Sequence, residues 1–150
     1  MVLLIISTAG AFTWLLNIKG IANIIGTAFA TFTNSSAVFL FVVILLLLFM
    51  GCFMECVASV LMITPILMPA AISMGIDPIH FGIVVVMTLS LGMSTPPVGE
   101  NLYIAAGIAG IQFEKMLKYA WPLIGVAILA ILIVTYIPQI SLFLPTLMYS

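Results

Sequence analysis

One interruption in an otherwise apolar stretch carries residue types that can bind an ion. Residues 92–99 read Gly-Met-Ser-Thr-Pro-Pro-Val-Gly, and the two consecutive prolines remove two backbone donors. Thr95 precedes a proline and is pushed towards extended backbone, which unwinds a helix at that point. The carbonyl groups of Gly92 and Met93 therefore need new partners, and a dehydrated Na⁺ is one candidate. The pattern predicts a broken helix whose two inner ends face a common site.

A single acid, Glu55, interrupts a second apolar stretch. An acid at the centre of a bilayer costs at least about 2.5 kcal/mol, and such residues usually face a pathway and have a partner. Glu55 could stay ionised beside a bound cation or take up a proton if left alone. A glutamate that reaches the membrane surface is the competing interpretation. Glu100 has a simpler role, because it lies in the first turn of the second half-helix, where the dipole favours an acid.

The composition identifies the surroundings of this chain. Of its 150 residues 65% are hydrophobic, and the charged positions are Lys19, Glu55, Asp77, Glu100, Glu114, Lys115 and Lys118. Uncharged runs at 20–54 and 119–150 are longer than the roughly 20 residues that a helix needs to cross a bilayer. Three lysines form no basic patch for a nucleic acid, and two cysteines are too few for a disulfide framework or a thiolate metal site. We predict an all-α integral membrane protein.

The elements that must position the two interruptions follow from the apolar runs. Residues 1–16 predict a partial span that looks cut from a longer one, residues 20–36 an amphipathic arm helix, residues 79–110 one broken span, and residues 119–137 the last span. Asp77 and Pro78 have the types favoured at the N-cap and the first position of a helix. Residues 111–118 predict a charged loop, and the tail predicts an interfacial segment. His80 is predicted to be an ordinary histidine at the membrane edge rather than a ligand.

Residues 37–74 allow two interpretations. Two short apolar arms flank the segment Gly51-Cys-Phe-Met-Glu55, so they form either one long crossing helix or the two half-helices of a re-entrant hairpin. We favour the hairpin, with its polar tip near mid-membrane, where irregular backbone is tolerated only against protein or a water-filled cavity. With this hairpin, Lys19 lies on one side of the membrane and Lys115 and Lys118 on the other. The positive-inside rule then places 111–118 in the cytoplasm and the C-terminus in the periplasm.

Taken in order, several of these segments resemble the large permease subunit of the tripartite ATP-independent periplasmic (TRAP) transporters, of the dicarboxylate and sialic-acid type. The matching segments are Gly51-Cys-Phe-Met-Glu55, Pro65-x3-Pro69, Gly75-Ile-Asp-Pro-Ile-His-Phe-Gly82, Thr95-Pro-Pro-Val-Gly-Glu-Asn-Leu102 and Thr135-Tyr-Ile-Pro138. The resemblance implies a fold of the ion-transporter superfamily, in which this chain is the second inverted repeat. It also implies a Na⁺-coupled elevator-type transporter of the bacterial inner membrane. Such a transporter takes C4-dicarboxylates or sialic acid from a periplasmic binding protein and works with a small membrane subunit.

The resemblance also implies the site residues. Glu55, Gly92, Thr95 and Val98 would form a Na⁺ site; Ser94, Pro96, Pro97, Gly99 and Asn101 would bind the organic acid; and Gly51, Met54 and Ser59 would form the hairpin tip. No cofactor other than the coupling ion is implied. Members of this family often have Asp where Glu55 stands. The chain lacks the Gly-Ser-Ser hairpin and the Pro-Pro-Ser break of the first repeat, so we expect no transport without the N-terminal half of the permease.

Two other classes of function compete with a transporter. An intramembrane enzyme needs an acid, base or nucleophile with a positioned partner, and Glu55 has no second acid near it in the sequence. A membrane scaffold that only binds partners is the other alternative, because the motifs of the first repeat are absent.

Overall fold

The computed structural model describes residues 35–149 and, of the earlier residues, 4, 7, 8, 10, 11, 14, 15, 18–20 and 24. The partial span predicted at 1–16 and the arm helix predicted at 20–36 therefore lie almost entirely outside the described residues. Within the described part the helices are α1 (Ser36–Gly51), α2 (Cys56–Ser73), α3 (Pro78–Gly92), α4 (Glu100–Ala109), α5 (Phe113–Tyr136) and α6 (Pro138–Tyr149). No strand occurs among these residues, which agrees with the all-α prediction.

Helices α1 and α2 form a hairpin around residues 52–55. The hydroxyl of Ser36, in the first turn of α1, donates to the carbonyl oxygen of Met74, just after α2, at 2.8 Å. The far ends of the two helices thus lie together, so one continuous helix over 37–74 is excluded. The helices have 16 and 18 residues. At about 1.5 Å per residue, α1 falls short of the ~30 Å of a hydrocarbon core, whereas α2 lies at the lower end of the roughly 17–25 residues that can cross it.

Helix α3 packs between the two arms of this hairpin. Its N-terminus follows the sequence prediction, because Asp77 Oδ1 accepts from the backbone N–H groups of Ile79 at 2.8 Å and His80 at 3.2 Å. Pro78 occupies the first helical position, where its missing N–H costs nothing. The buried core unites side chains of all three helices: Phe39, Leu40, Val43 and Leu47; Ile63, Leu67, Ala70 and Ala71; and Phe81, Val85 and Leu89. The hairpin and α3 therefore share one core.

Helix α5 begins earlier than the sequence predicts. Residues 111–118 were expected to form a loop, but α5 starts at Phe113 and contains Glu114, Lys115 and Lys118 in its first two turns. Glu and Lys are good helix formers, so these charged residues do not end the helix. Among the described residues, α2 and α5 are the helices long and apolar enough to cross a membrane. The tail forms α6.

Candidate functional site

Two glycines bring the tip of the hairpin against the helix break. Gly51 ends α1 and Gly92 ends α3, and both are buried. A Cβ added to Gly92 would lie 2.7 Å from Gly51 Cα and 2.9 Å from the carbonyl carbon of Gly51. A Cβ added to Gly51 would lie 3.0 Å from Gly92 Cα. No side chain separates the two backbones, so the residues that follow each glycine are close neighbours.

The chain between α3 and α4 is unwound over residues 93–99, as the double proline predicts. Pro96 and Pro97 cannot donate to the carbonyl groups four residues before them. Other backbone donors replace them: Thr95 N–H donates to Gly92 O at 2.9 Å, and Asn101 N–H donates to Met93 O at 3.2 Å. Each carbonyl oxygen has two lone pairs, so each keeps one that a cation could use.

The polar side chains of the break stabilise its loop. The Thr95 hydroxyl donates to the Leu91 carbonyl oxygen at 2.8 Å, and the side-chain amide of Asn101 donates to Ser94 Oγ at 3.1 Å. The second bond spans the break from the end of α3 to the first turn of α4. The sequence predicts Ser94 and Asn101 as substrate-binding residues. In this structure their side chains are bonded to each other.

A small cleft lies where the tip and the break meet. Residues 51–54 form one wall, and Met93, Val98 and Glu100 form the other. Its volume is about 30 Å³, which accommodates a water molecule or a small ion but not an organic acid. Of the predicted Na⁺ residues only Val98 lines this cleft, and of the predicted tip residues Gly51 and Met54 do. The predicted substrate residues do not line it.

Glu55 has a role that the sequence interpretation missed. Its two carboxylate oxygens accept from the backbone N–H groups of Val57 at 2.9 Å and Ala58 at 2.8 Å. These first-turn groups have no partner within α2, so Glu55 is the N-cap of that helix, although its side chain is exposed. The available signal was an acid just before an apolar helix, where the positive end of the helix dipole favours a negative charge. Ser59, predicted at the tip, lies buried in α2 and donates to the Glu55 carbonyl oxygen at 2.8 Å.

Two further residues contact the site or its supporting helix without having been predicted. The Cys52 thiol, buried at the tip, lies 3.5 Å from the Pro96 carbonyl oxygen and links the tip to the break. His80, predicted to be an ordinary histidine at the membrane edge rather than a ligand, is 2% exposed and bonded through both ring nitrogens. No sequence pattern indicated either contact, because both join segments more than 40 residues apart. Within the described residues, no cluster of three or more His, Cys, Asp or Glu side chains could hold a metal ion.

Gly99 provides a test of the break's backbone. It has φ +57°, and an added Cβ would meet only ordinary contacts, the closest being Leu102 Cδ1 at 3.5 Å. Gly99→Ala should therefore lower the free energy of unfolding by about 1–2 kcal/mol, because Ala must adopt the left-handed conformation. Asn tolerates this region better than Ala, so Gly99→Asn should be intermediate. We expect the thermal unfolding temperatures of the purified protein to rank Gly above Asn above Ala.

Gly107 is the matched control for this series. It lies in the interior of α4 with nothing within 4 Å of an added Cβ, so Gly107→Ala should leave stability unchanged or raise it. An unfolding temperature for Gly99→Ala equal to that of the parent would contradict the left-handed turn at the start of α4.

Comparison with known proteins identifies one family. The family model described as "Tripartite ATP-independent periplasmic transporter, DctM component" matches residues 1–140. The C4-dicarboxylate TRAP transporter large permease protein DctM of Rhodobacter capsulatus is 41% identical over 148 residues, which cover 99% of this chain and 34% of that protein. These two matches cover nearly the whole chain.

Two other relatives extend the range of named substrates. The isethionate TRAP transporter permease protein DctMQ of Oleidesulfovibrio alaskensis is 38% identical over 143 residues, 95% of this chain and 22% of that protein. The sialic acid TRAP transporter large permease protein SiaM of Vibrio cholerae is 33% identical over 146 residues, 97% of this chain and 34% of that protein. The chain thus spans about a third or less of the length of these curated relatives, which are transporter permeases and not enzymes.

Proposed function

This chain belongs to the DctM component family of the tripartite ATP-independent periplasmic transporters, and we propose that it forms the C-terminal repeat of a permease that imports small organic acids. Family membership confirms the resemblance seen in the sequence. The relatives carry C4-dicarboxylates, isethionate and sialic acid in their names, so the proposed substrate class is a small organic anion. The N-terminal half of the permease would supply the opposing repeat.

One observation carries this proposal: the backbone contact between Gly51 and Gly92. It brings a helical hairpin and an unwound helix together at one point. Discontinuous helices that meet in this way form substrate and ion sites near the bilayer midplane in secondary transporters. The arm α1, with 16 residues, is too short for a full span, which favours a re-entrant hairpin over two crossing helices.

Two residues of the break that do not themselves line the cleft, Gly92 and Thr95, fit a Na⁺ ion by their chemistry. Unwound backbone carbonyl groups coordinate Na⁺ in broken-helix transporters, and a hydroxyl oxygen has lone pairs that can do the same. Gly92 O retains a lone pair, as does the Thr95 hydroxyl oxygen, which uses its proton on Leu91 O. The charge of Glu55, one residue beyond the cleft wall, would attract a cation. When bound, Na⁺ would offset the negative charge of Glu55, Glu100 and an arriving carboxylate.

The organic acid would lie beside the first turn of α4. The positive end of a helix favours a carboxylate. The side chains of Ser94 and Asn101 can also exchange the hydrogen bond that they form with each other for hydrogen bonds to the acid. Asn101 N–H and Leu102 N–H already donate to backbone carbonyl oxygens, so this helix end offers fewer free donors than the sequence predicted. Glu100 in the same turn repels a carboxylate, which gives a reason for simultaneous cation binding.

We further propose that α1, α2 and α3 move as one unit in an elevator-type transport cycle. Their shared buried core supports this, because a packed core resists internal rearrangement. The permease would lie in the bacterial inner membrane as a multi-pass protein with its C-terminus in the periplasm. A small membrane subunit would accompany it, and a periplasmic binding protein would deliver the acid, as in the transporters that give the family its name.

The test is Na⁺-dependent uptake by the complete permease that carries this segment. The permease and its small subunit are reconstituted in liposomes, and uptake of a radiolabelled C4-dicarboxylate from its binding protein is measured with a Na⁺ or a K⁺ gradient. We expect uptake with Na⁺ only. Equal uptake in both gradients would contradict Na⁺ coupling, and no uptake of any organic acid would favour the scaffold alternative.

Glu55→Gln removes the charge and keeps one of the two cap bonds. The amide oxygen can still accept from one backbone N–H of the first turn of α2, whereas the second N–H loses its acceptor, so the unfolding temperature should fall modestly while the attraction for a cation is lost. We expect the Na⁺ concentration for half-maximal uptake to rise about tenfold or more. Glu114→Gln, which removes an exposed acid in the first turn of α5, is the control and should behave as the parent. An unchanged Na⁺ dependence in Glu55→Gln would show that Glu55 is a cap alone.

A further inference from the structure

His80 joins the helix that carries the break to the far end of α5. It is the single histidine of the chain, lies in the first turn of α3 and is 2% exposed. Its Nε2 lies 3.1 Å from the Thr135 carbonyl oxygen, and its Nδ1 lies 2.6 Å from Ser141 Oγ. Thr135 and Ser141 are themselves 1% and 8% exposed. A buried polar network of this kind connects α3, α5 and α6.

The bond to Thr135 fills a definite need. Thr135 is in the last turn of α5, where carbonyl groups have no donor from their own helix, and Pro138, which starts α6, has no N–H to offer. His80 supplies the missing donor from a different helix, 55 residues away in sequence. Because a carbonyl oxygen only accepts, Nε2 must carry a proton in this bond.

Ser141 allows this arrangement to persist. Its hydroxyl lies within hydrogen-bond distance of His80 Nδ1 and also donates to the Pro138 carbonyl oxygen at 2.9 Å. If Nδ1 carries no proton, the Ser141 hydroxyl can donate to it. If Nδ1 carries a proton, the hydroxyl can accept from it and donate to the Pro138 carbonyl oxygen. In both cases Nε2–H remains on Thr135. Among the residues that the structure describes, the charged side chain hydrogen-bonded to His80 is Asp77, which accepts from the backbone N–H of His80 and not from its ring.

We propose that His80 is a positioning residue for the transport site. It holds the first turn of α3 against the junction of α5 and α6, while the contact of Gly92 with Gly51 holds the last turn of α3 against the hairpin. With both ends held, the break keeps a defined position relative to the last span. This inference rests on the proposed function above, because it assigns His80 a part in placing the Na⁺ site.

The transport experiment compares three substitutions at position 80 in the reconstituted permease. Gln places an amide N–H near the position of Nε2, Asn reaches only as far as Nδ1, and Leu has no donor. We expect His80→Leu and His80→Asn to raise the Na⁺ concentration for half-maximal uptake about three- to tenfold. The maximal rate should fall by less than about half, and His80→Gln should restore the Na⁺ response. A merely structural role would instead lower the amount of folded permease and the maximal rate, and leave that concentration unchanged.

Nitrogen NMR of the same permease, labelled with ¹⁵N-histidine, tests the hydrogen bonds without transport. We expect one imidazole Nε2–H signal that exchanges slowly with water, that is absent from the His80→Gln spectrum, and that shifts in Ser141→Ala. Absence of such a signal from the parent would overturn the proposal even if the Leu and Asn variants fail to fold.

The two experiments distinguish failure of this inference from failure of the proposed function. A parent that shows Na⁺-dependent uptake, with His80→Leu unchanged in its Na⁺ response, overturns the positioning role alone. A parent without Na⁺-dependent uptake overturns the proposed function and the positioning role with it, while a protected Nε2–H signal would still establish the bond to Thr135.

Discussion

Gly92→Ala should reduce uptake to less than about a tenth of the parent value and lower the unfolding temperature by several degrees. The added Cβ would lie 2.7 Å from Gly51 Cα, a separation that real structures do not tolerate. Overpacking costs about 1–3 kcal/mol when side chains can adjust. Here the neighbouring atoms belong to the backbone at the ends of two helices, so the hairpin tip must separate from the break. Uptake of a labelled organic acid and thermal unfolding of the purified permease measure both effects.

Gly82→Ala is the matched control for this substitution. Gly82 lies on the same helix, ten residues earlier, and an added Cβ there has nothing within 4 Å. Ala is the better helix former, so this variant should be as stable as the parent or more stable. If Gly92→Ala behaves like Gly82→Ala in both measurements, the hairpin tip does not contact the break through its backbone.

Thr95→Val should raise the Na⁺ concentration for half-maximal uptake at least about tenfold. The two side chains have nearly the same shape, so the change removes one oxygen from the unwound segment. If that oxygen binds Na⁺, its loss weakens the ion site directly. The hydrogen bond from the Thr95 hydroxyl to the Leu91 carbonyl oxygen, which Val cannot form, contributes about 1 kcal/mol or less to the free energy of unfolding. The Na⁺ response should therefore change much more than the unfolding temperature.

Thr95→Ser keeps the hydroxyl and is the control for the Val variant. We expect its Na⁺ response to stay within about twofold of the parent value, because the donor to Leu91 and the oxygen for the ion both remain. If Thr95→Ser and Thr95→Val lose Na⁺ affinity equally, the methyl group of Thr95 matters and not its hydroxyl alone. If neither variant changes the Na⁺ response, Thr95 is not part of the ion site.

Several elements could be predicted because their cause is local. Asp77 and Pro78 mark the start of α3 since capping depends only on the next few residues, and the double proline breaks the helix after Gly92 because it removes donors within one turn. The extent of α5 could not be predicted in the same way. The charged residues at 114–118 predict a loop because they border an apolar run, whereas the backbone continues its helix through them.

The site was only partly predictable. Glu55 stood out as an acid in an apolar stretch, which suggested an ion partner, but its carboxylate caps α2 through two backbone N–H groups. The contact of Cys52 Sγ with the Pro96 carbonyl oxygen and the bonds of His80 to Thr135 and Ser141 join distant segments. A sequence pattern contains no information about such pairs, because they depend on which helices pack against each other.

The sequence by itself determined that this chain belongs in a membrane and where its helices are interrupted. The chain has too few charged residues for a water-exposed surface, Pro96 and Pro97 remove backbone donors, and Glu55 interrupts an apolar stretch. These conclusions follow from residue types and short-range chemistry alone. Only the tertiary structure decided that the interruptions meet, because the absence of side chains at Gly51 and Gly92 lets two backbones approach. It also decided that His80 bonds the end of α5, since a buried ring must find partners wherever packing places them.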